Sequence, residues 1–446
     1  MRLTGHPRLA RASLWLSLPM VVLGLLLSQL AICEENQIFA GRYADESALL
    51  NWLWSHSPEV LAARADAEIA MGAVTQAQLQ QNPQIDATWG TIPIGRTTPA
   101  GLNNPLGQVS NVGLALGQTF EPGKRGPRKI FAQSGVAVAR AQAADVAVGR
   151  FFDLLVVIGR VALVQVRQAC FDALVVSSSE LLELQKVRAG RGDVAELDVT
   201  RAEVEHQRVL AQRSGLDRDL ADALADCSMI TAALCAPFAD AAAARAWLDG
   251  QRAVGLPAQW SETVAQRRTD IQVLVAQSEQ AHALTQVARA KGLPDVSAHL
   301  GYLWDNFVIS GNQQQSLAIG VGMTLPIFDF GQADAWAGKA GSLRAVQVQF
   351  AVQSAAKQVL MGALRRIATA RAREESLDHA IEKAAKVVKM MGDMHRRGAV
   401  SLTELILARQ AWRALLLERL DLDVADFQAV MDARRAGAVR PPLPTP

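Results

Sequence analysis

The segment KMMGDMHRRG, residues 389–398, carries the side chains of this chain that are best suited to holding a metal ion. Met390 and Met394 lie one helical turn apart, and His395 follows directly. Thioether sulfur and imidazole are ligands that suit Cu(I). Methionines at this spacing are more often packed in a helical core, and the sequence has no HxxxH or CxxC pattern. We therefore expect no metal site.

No group of residues indicates catalysis. The sequence shows no nucleophile with a neighbouring base, no phosphate-binding loop and no pair of catalytic carboxylates. These are the features by which an active site is recognised. We expect that the protein is not an enzyme and that it needs no cofactor.

Two glycine-containing breaks, GDVAELD and GAVSLTEL, interrupt long helical stretches. Glycine permits the chain to reverse direction, a valine can pack each turn, and Asp193 or Ser401 can cap the returning helix. A plain helix-hairpin turn explains the backbone. The residues expected to form the two turns are Gly192, Asp193, Val194, Gly398, Val400 and Ser401.

Charged residues of both signs surround these breaks. We expect ion pairs between neighbouring helices that join Asp193 and Glu404 to Arg397 and Arg201. The alternative is that these charges belong to solvated helix faces, since an exposed pair contributes ~1 kcal/mol or less.

The elements that position these residues belong to a repeat of about 210 residues, a period that points to duplication of one structural unit. Ala70, Phe120 and Gly192 of the first copy match Ala281, Phe328 and Gly398 of the second. We assign the copies to residues 48–235 and 263–433, with a linker at 236–262 and a disordered tail at 434–446.

Proline placement predicts the order of elements, because an interior proline costs a helix about 3 kcal/mol. No proline occurs between Pro127 and Pro237 or between Pro326 and Pro441. Each copy therefore reads helix, strand, loop, strand, long helix, short break, helix. Cys227 and Cys235 are placed in one helix, about 12 Å apart, which predicts no disulfide between them.

Four strands are expected at about 84–92, 109–120, 295–304 and 316–328. In VSAHLGYLW, residues 296–304, apolar side chains alternate with small or polar ones. Strands of ~9 to 11 residues with this alternation are typical of an outer-membrane β-barrel, although a small soluble sheet with one buried face would show it too. Four strands cannot close a barrel, so two, three or four chains would have to share one. The segments Gly95–Gln108 and Asp305–Gln315 are then expected to be cell-surface loops.

The N-terminus resembles an export signal, with three arginines before an apolar run that ends at Ile32. We expect residues 1–32 to be a signal peptide, with an uncleaved anchor as the alternative, and Cys33 to be a possible lipid attachment site. Loss of the three arginines leaves 42 basic and 43 acidic residues. That balance argues against nucleic acid, whose binding needs clustered positive charge.

With the turns LPIFDFG and FEPGKRGPR and the two breaks in register, the sequence resembles the TolC family of outer-membrane efflux proteins, most closely its CzcC-like heavy-metal branch. The resemblance implies a mainly α fold with a β-barrel portion: four strands per chain, shared in a trimer, continued by a long periplasmic α-helical barrel. It also implies an outer-membrane location, with the breaks at a periplasmic tip that docks an adaptor and gates the duct.

The implied function is the exit duct of a tripartite efflux system with a periplasmic adaptor and an inner-membrane RND-type pump. Heavy-metal ions are the cargo that the CzcC-like branch implies. One alternative is the outer duct of a type I protein secretion system. Another, of a different class, is a structural coiled-coil envelope protein without a pore. The basic cluster of Lys124, Arg125, Arg128 and Lys129 is expected to meet outer-membrane lipid or the carboxylates of a neighbouring helix, or to be solvated.

Overall fold

The computed structural model describes residues 43–92, 94, 104–306 and 313–444. The signal peptide and Cys33 lie outside the described residues, as does most of each expected surface loop. The elements of the first half are α1 (Glu46–His56), α2 (Pro58–Gln78), β1 (Gln84–Gly90), α3 (Pro105–Val109), β2 (Asn111–Phe120), α4 (Arg125–Gly190) and α5 (Glu196–Thr231). Those that follow are α6 (Ala241–Ala253), α7 (Glu262–Arg267), α8 (Thr269–Ala290), β3 (Val296–Asp305), β4 (Gln315–Met323), α9 (Gln332–Arg396) and α10 (Leu402–Ala436).

The same order of elements occurs twice along the chain. Both copies run through a helix, two strands, a helix of 66 or 65 residues, a short break and a second helix. The break after α4 contains Gly192 and the break after α9 contains Gly398, as the sequence predicts. The linker between the copies is not plain loop, because it contains α6 and the start of α7.

The four strands form one antiparallel sheet in the order β1-β2-β3-β4. In the observed register Leu116 lies between Ile85 of β1 and Leu300 of β3, so the apolar positions of neighbouring strands fall on one face. β4 stops at Met323, short of the expected residue 328. The backbone N–H of Thr324 donates to the carbonyl oxygen of Asp295 (3.1 Å), and Pro326 has no N–H with which to extend the ladder.

The C-terminal tail also differs from expectation. Helix α10 continues to Ala436, so the segment expected to be disordered begins inside a helix. Arg434 is almost fully buried, and the N–H of Val439 donates to its carbonyl oxygen (2.9 Å). The helix thus continues past residue 433, the expected end of the second copy.

The chain divides into two compact units that do not follow the repeats. The described part of the first unit comprises residues 43–49, 153–252 and 379–424. Its buried core includes Phe171, Leu174, Val209 and Leu216. The second unit takes the described residues of 50–152, 253–378 and 425–446, and therefore contains the whole sheet.

The expectation about cysteines is wrong, because Cys227 and Cys235 form a disulfide with their Cα atoms 6.0 Å apart. Helix α5 ends at Thr231, and Ala232 adopts a left-handed conformation (φ 53°) that turns the chain back. The helical rise that would separate the two residues therefore does not apply. Cys170 is the free cysteine of the described residues, and it is half-buried.

Among the helices of the described residues, none is both long enough and apolar enough to span a membrane.

Candidate functional site

The sheet has one strongly apolar face that is open to the surroundings. On β4, Leu317, Ile319 and Val321 are 66%, 78% and 76% exposed. The same face of the other strands carries exposed aromatic and aliphatic side chains, among them Ile85, Trp89, Leu114, Tyr302 and Trp304. A monomeric soluble protein rarely exposes a continuous apolar surface of this kind.

The opposite face of the sheet is built from small and polar side chains. His299 of β3 lies between Gly117 of β2 and Gly320 of β4, and Ser297 lies beside Gly322. The His299 ring is close enough to Ser297 Oγ (3.1 Å) for a hydrogen bond. The alternation expected for 296–304 is confirmed by this register.

The two outer strands, β1 and β4, each pair with one neighbour among the described strands. Each therefore presents a free edge of backbone N–H and C=O groups. In water such an edge is a site for pairing with another chain, and in lipid each unpaired group costs several kcal/mol.

The two helix breaks lie together at one end of the first unit. Leu181 and Leu182 of α4, Ala202 of α5, and Leu402 and Leu405 of α10 form one buried cluster, against which Met391 of α9 packs. We call this end, comprising residues 181–202 and 391–405, the tip. It brings together the predicted turn residues that the sequence separates by about 200 positions.

Both turns of the tip end their helix in the same way. Gly192 and Gly398 have φ of +81° and +74°, a region that favours glycine. After α4, the N–H of Asp193 donates to the Arg188 carbonyl oxygen (2.9 Å). After α9, the N–H of Ala399 donates to the Met394 carbonyl oxygen (2.9 Å). These bonds and the left-handed glycine define a Schellman motif.

The helices that follow the turns begin differently. Ser401 Oγ accepts from the N–H of Glu404 (3.3 Å), and Glu404 Oε2 accepts from the N–H of Ser401 (2.9 Å), which is a capping box. The Ser401 hydroxyl also donates to Glu404 Oε2 (2.9 Å). The bonds that this carboxylate accepts from the Ser401 N–H and then from the hydroxyl lower the pKa of Glu404. The expectation that Ser401 caps α10 is confirmed. Asp193 does not cap α5, whose N-cap is Ala195 without a side-chain hydrogen bond.

The other predicted tip residues are at the surface or half-buried. Val194 and Val400 are half-buried, while Asp193, Arg201, Arg397 and Glu404 are exposed. Arg201 Nη1 lies 3.5 Å from Asp198 Oδ1 and donates to Thr403 Oγ1 (3.2 Å). Within one chain the described contacts of Arg201 and Glu404 are thus to other partners, and the four-residue gate stays a prediction for an assembled protein.

His395 is the tip residue whose role the sequence did not reveal. It is 4% exposed. Its Nδ1 lies 2.9 Å from the Val400 carbonyl oxygen, and its Nε2 lies 2.9 Å from Gln185 Nε2 on α4. Arg188 Nη1 donates to the His395 carbonyl oxygen (3.1 Å). The ring therefore joins the ends of α4 and α9 to the second turn.

The methionines next to His395 do not complete a metal site. Met390 and Met394 are 62% and 42% exposed, whereas the His395 ring is buried and hydrogen-bonded. Across the described residues there is no group of three or more His, Cys, Asp or Glu side chains that could hold a metal ion.

Two members of the basic cluster after β2 have internal partners. Lys124 Nζ forms an ion pair with Asp295 Oδ1 (2.7 Å), and Arg128 Nη1 forms one with Glu121 Oε2 (3.0 Å). Arg128 Nε also donates to the Ala77 carbonyl oxygen (3.3 Å). Arg125 and Lys129 are exposed, so any contact of this cluster with lipid would depend on them.

The sequence of the second repeat resembles a known protein family. Residues 260–429 match the family model described as outer membrane efflux protein. The match covers the second repeat, which is less than half of the chain. A search of the curated proteins finds no match.

Solved structures extend the likeness to most of the chain. CusC is 14% identical with a TM-score of 0.72, over 90% of this chain and 92% of its own. VceC from Vibrio cholerae is 18% identical with a TM-score of 0.67, over 90% and 98%. CmeC from Campylobacter jejuni is 15% identical with a TM-score of 0.66, over 88% and 85%.

At these identities the structures establish a shared fold. The match of the second repeat adds a likeness to outer membrane efflux proteins over residues 260–429. The fold is mainly helical with a small antiparallel sheet, as expected. The expectation that the chain is not an enzyme agrees with the match to the outer membrane efflux model.

Proposed function

We propose that this chain is one subunit of the outer-membrane exit duct of a tripartite efflux system. Three copies share a twelve-stranded barrel, and their long helices continue the duct through the periplasm. The observation that carries the proposal is the sheet, which combines an exposed apolar face, a face of small and polar residues, and two free edges.

The apolar face favours lipid as its surroundings. Burying a large aliphatic or aromatic side chain is worth about 1.5–3 kcal/mol relative to leaving it in water. More than ten such side chains of the sheet are at least 42% exposed in one chain. The hydrocarbon of a bilayer would accept them, and the opposite face, with Ser297, His299 and several glycines, would line an aqueous passage.

The free edges require further copies of the sheet. Edge groups cannot remain unpaired in hydrocarbon, and bacterial barrels use about eight strands or more. Pairing β4 of one copy with β1 of the next would close a ring. The count of three copies comes from the family resemblance, which also supplies the adaptor and the RND-type pump as partners.

The Cys227–Cys235 disulfide agrees with an envelope location. Disulfides persist in oxidising compartments such as the bacterial periplasm and are rare in the cytosol. The bond lies in the first unit, whose tip we place in the periplasm as the adaptor-docking end. Docking there would use the turns at Gly192 and Gly398. The cargo is set by the pump, and heavy-metal ions are the cargo that the CzcC-like resemblance favours.

Cysteine labelling on intact cells tests the proposal. Cysteines at Asn104 and Gln314, both exposed at the loop end of the strands, should react with an impermeant thiol reagent. A cysteine at the exposed Arg191 of the tip is the matched control. It should react only after the outer membrane is permeabilised.

Equal labelling of all three positions before and after permeabilisation would contradict the proposed topology. So would recovery of the full-length protein as a salt-extractable monomer, which is what a coiled-coil scaffold without a pore would give. A lipid anchor at Cys33 is a separate proposal. Cys33→Ser should abolish lipid labelling and leave a slower-migrating precursor, and unchanged processing would refute it.

A further inference from the structure

We propose that His395 makes the Gly398 turn of the tip responsive to pH. Because Nε2 of the ring faces two hydrogen-bond donors, acidification favours opening of the link between α4, α9 and the turn. The inference deepens the proposed function, because it names a regulator of the end at which the duct would dock and open. The link itself lies within the first unit and is defined by its own contacts.

The hydrogen-bond partners fix the tautomer of the ring. The Val400 carbonyl oxygen can only accept, so the Nδ1 atom 2.9 Å away must carry the hydrogen. The Nε2 atom of a neutral ring is then an acceptor. It faces the Gln185 amide nitrogen at 2.9 Å and Arg188 Nη1 at 3.4 Å, which are both donors.

A second proton on the ring would oppose this arrangement. It would have to occupy Nε2, where it would meet the two donors and the fixed positive charge of Arg188. Gln185 Oε1 is buried and has no hydrogen-bond partner in the described structure. Rotation of the amide would offer this oxygen to the new N–H, but the repulsion between Arg188 and the charged ring would remain.

No described carboxylate forms an ion pair with the ring. On α10, Glu404 is engaged by Ser401. On α5, Arg201 contacts Asp198 and Thr403. On α9 itself, Asp393 pairs with Arg396, and Arg397 is exposed. The charged group that faces the ring is therefore Arg188, which disfavours a positive imidazole.

When the link opens, the ring also leaves the Val400 carbonyl oxygen, which is the contact that holds the second turn. The Val400 carbonyl belongs to the segment between Gly398 and the capping box at Ser401. Its hydrogen bond with the ring therefore stabilises this turn. Ala189 occupies the matching place three residues before Gly192, and it has no side chain that could form such a bond. Acidification should therefore affect one turn of the tip and spare the other.

Hydrogen exchange of the full-length protein in detergent measures this difference. The reporters are the amides of Ala399 and Asp193, which make the same bond in the two turns. Histidine changes charge between about pH 5 and 8. Between pH about 7.5 and 5.5, the protection factor of Ala399 relative to Asp193, corrected for intrinsic exchange, should fall at least about fivefold.

Three variants identify the responsible residue. His395→Gln cannot take up a proton, so its ratio should stay constant with pH. His206→Gln is the matched control, because His206 is half-buried in the same unit and contacts Ser178, and it should behave as wild type. Gln185→Glu places a carboxylate beside Nε2, and it should weaken or reverse the response.

A constant ratio in the wild type, or an undiminished fall in His395→Gln or Gln185→Glu, would overturn the inference. Planar-bilayer recordings then separate it from the proposed function. Wild type should gain conductance on acidification of the tip side, and His395→Gln should not. If no variant conducts at any pH, the duct proposal fails while hydrogen exchange still decides the role of His395. If the pH response of conductance persists in His395→Gln, the duct stands and this inference fails.

Discussion

The two turns of the tip share a backbone and differ in almost every side-chain contact. Each ends a long helix with a left-handed glycine and the same pair of backbone hydrogen bonds. The second turn adds a capping box and a buried histidine, where the first has Ala195 and Ala189 at the matching positions. Duplication has thus retained the geometry of the reversal, while its side-chain support is present in one copy.

The comparison indicates unequal restraint on two similar hairpins. The first turn is held by its backbone bonds and by Val199, which packs against the buried cluster of the tip. The second is also tied to α4 through Gln185 and Arg188. We therefore expect the free energy of local opening to be smaller for the first turn than for the second. Each substitution below changes the opening free energy of one turn or of both.

The largest effect should come from His395→Ala. Removal of the ring leaves a cavity and a buried Gln185 amide without its partner, so the opening free energy of the second turn should fall by about 3 kcal/mol. Hydrogen exchange at the Ala399 amide measures this change, with the Asp193 amide as the internal reference. An equal loss at both amides would show that the ring stabilises the whole unit and not one turn.

Gly192→Val and Gly398→Val should each cost about 2 kcal/mol, because valine is strained at positive φ. No atom lies within 4 Å of where a Cβ would be at either glycine, so backbone strain is the main expected cost. Thermal unfolding followed by circular dichroism should give similar losses for the two variants. Asparagine tolerates this conformation better, so Gly→Asn at the same positions is the milder control, and a clash-driven effect would not be relieved by it.

Exchanging the caps should bring the turns closer together. Ser401→Ala removes the capping box and should lower the opening free energy of the second turn by about 1 kcal/mol. Ala195→Ser creates a serine three residues before Asp198 and should raise that of the first turn by up to about 1 kcal/mol. Hydrogen exchange at the Glu404 amide reports the first change, and exchange at the Asp198 amide reports the second. If Ala195→Ser gives no added protection, Asp198 keeps its ion pair with Arg201 and forms no capping box.

The smallest effect concerns acid. The bonds from Ser401 lower the pKa of Glu404 in the folded protein, so its contribution to stability is present above the unfolded pKa and is lost as the pH falls through the folded one. The second turn should lose protection below about pH 4, well below the range in which histidine titrates. Glu404→Gln should remove this acid-dependent part, and an unchanged acid response in that variant would assign it elsewhere.

Much of this architecture could be predicted because it depends on local rules. Glycine at Gly192 and Gly398, the prolines around the strands and the alternation in 296–304 each report a backbone conformation directly. Ser401 followed by Glu404 is likewise a local helix-start pattern. Asp193 has the right chemistry for a cap but lies two positions before the N-cap Ala195, and its own N–H closes the preceding motif.

The missed features depend on tertiary contacts or on an unmarked helix end. His395 and Gln185 are 210 residues apart, and no periodicity connects a histidine with a glutamine in another copy of the repeat. The disulfide was missed because α5 ends at Thr231 through a left-handed alanine, a position where glycine is usual. Because no glycine or proline stands there, the sequence predicts a helix that continues to Cys235.

The two free edges of the sheet have a genetic consequence. In the proposed trimer no chain can complete a barrel alone. Every trimer therefore contains three separately synthesised chains, each drawn from the pool of subunits in the cell. A cell that makes equal amounts of a normal and a defective subunit would build only about one in eight of its trimers from normal chains alone. A subunit that assembles but cannot open should therefore be dominant over the wild type, whereas one whose strands cannot pair should be recessive.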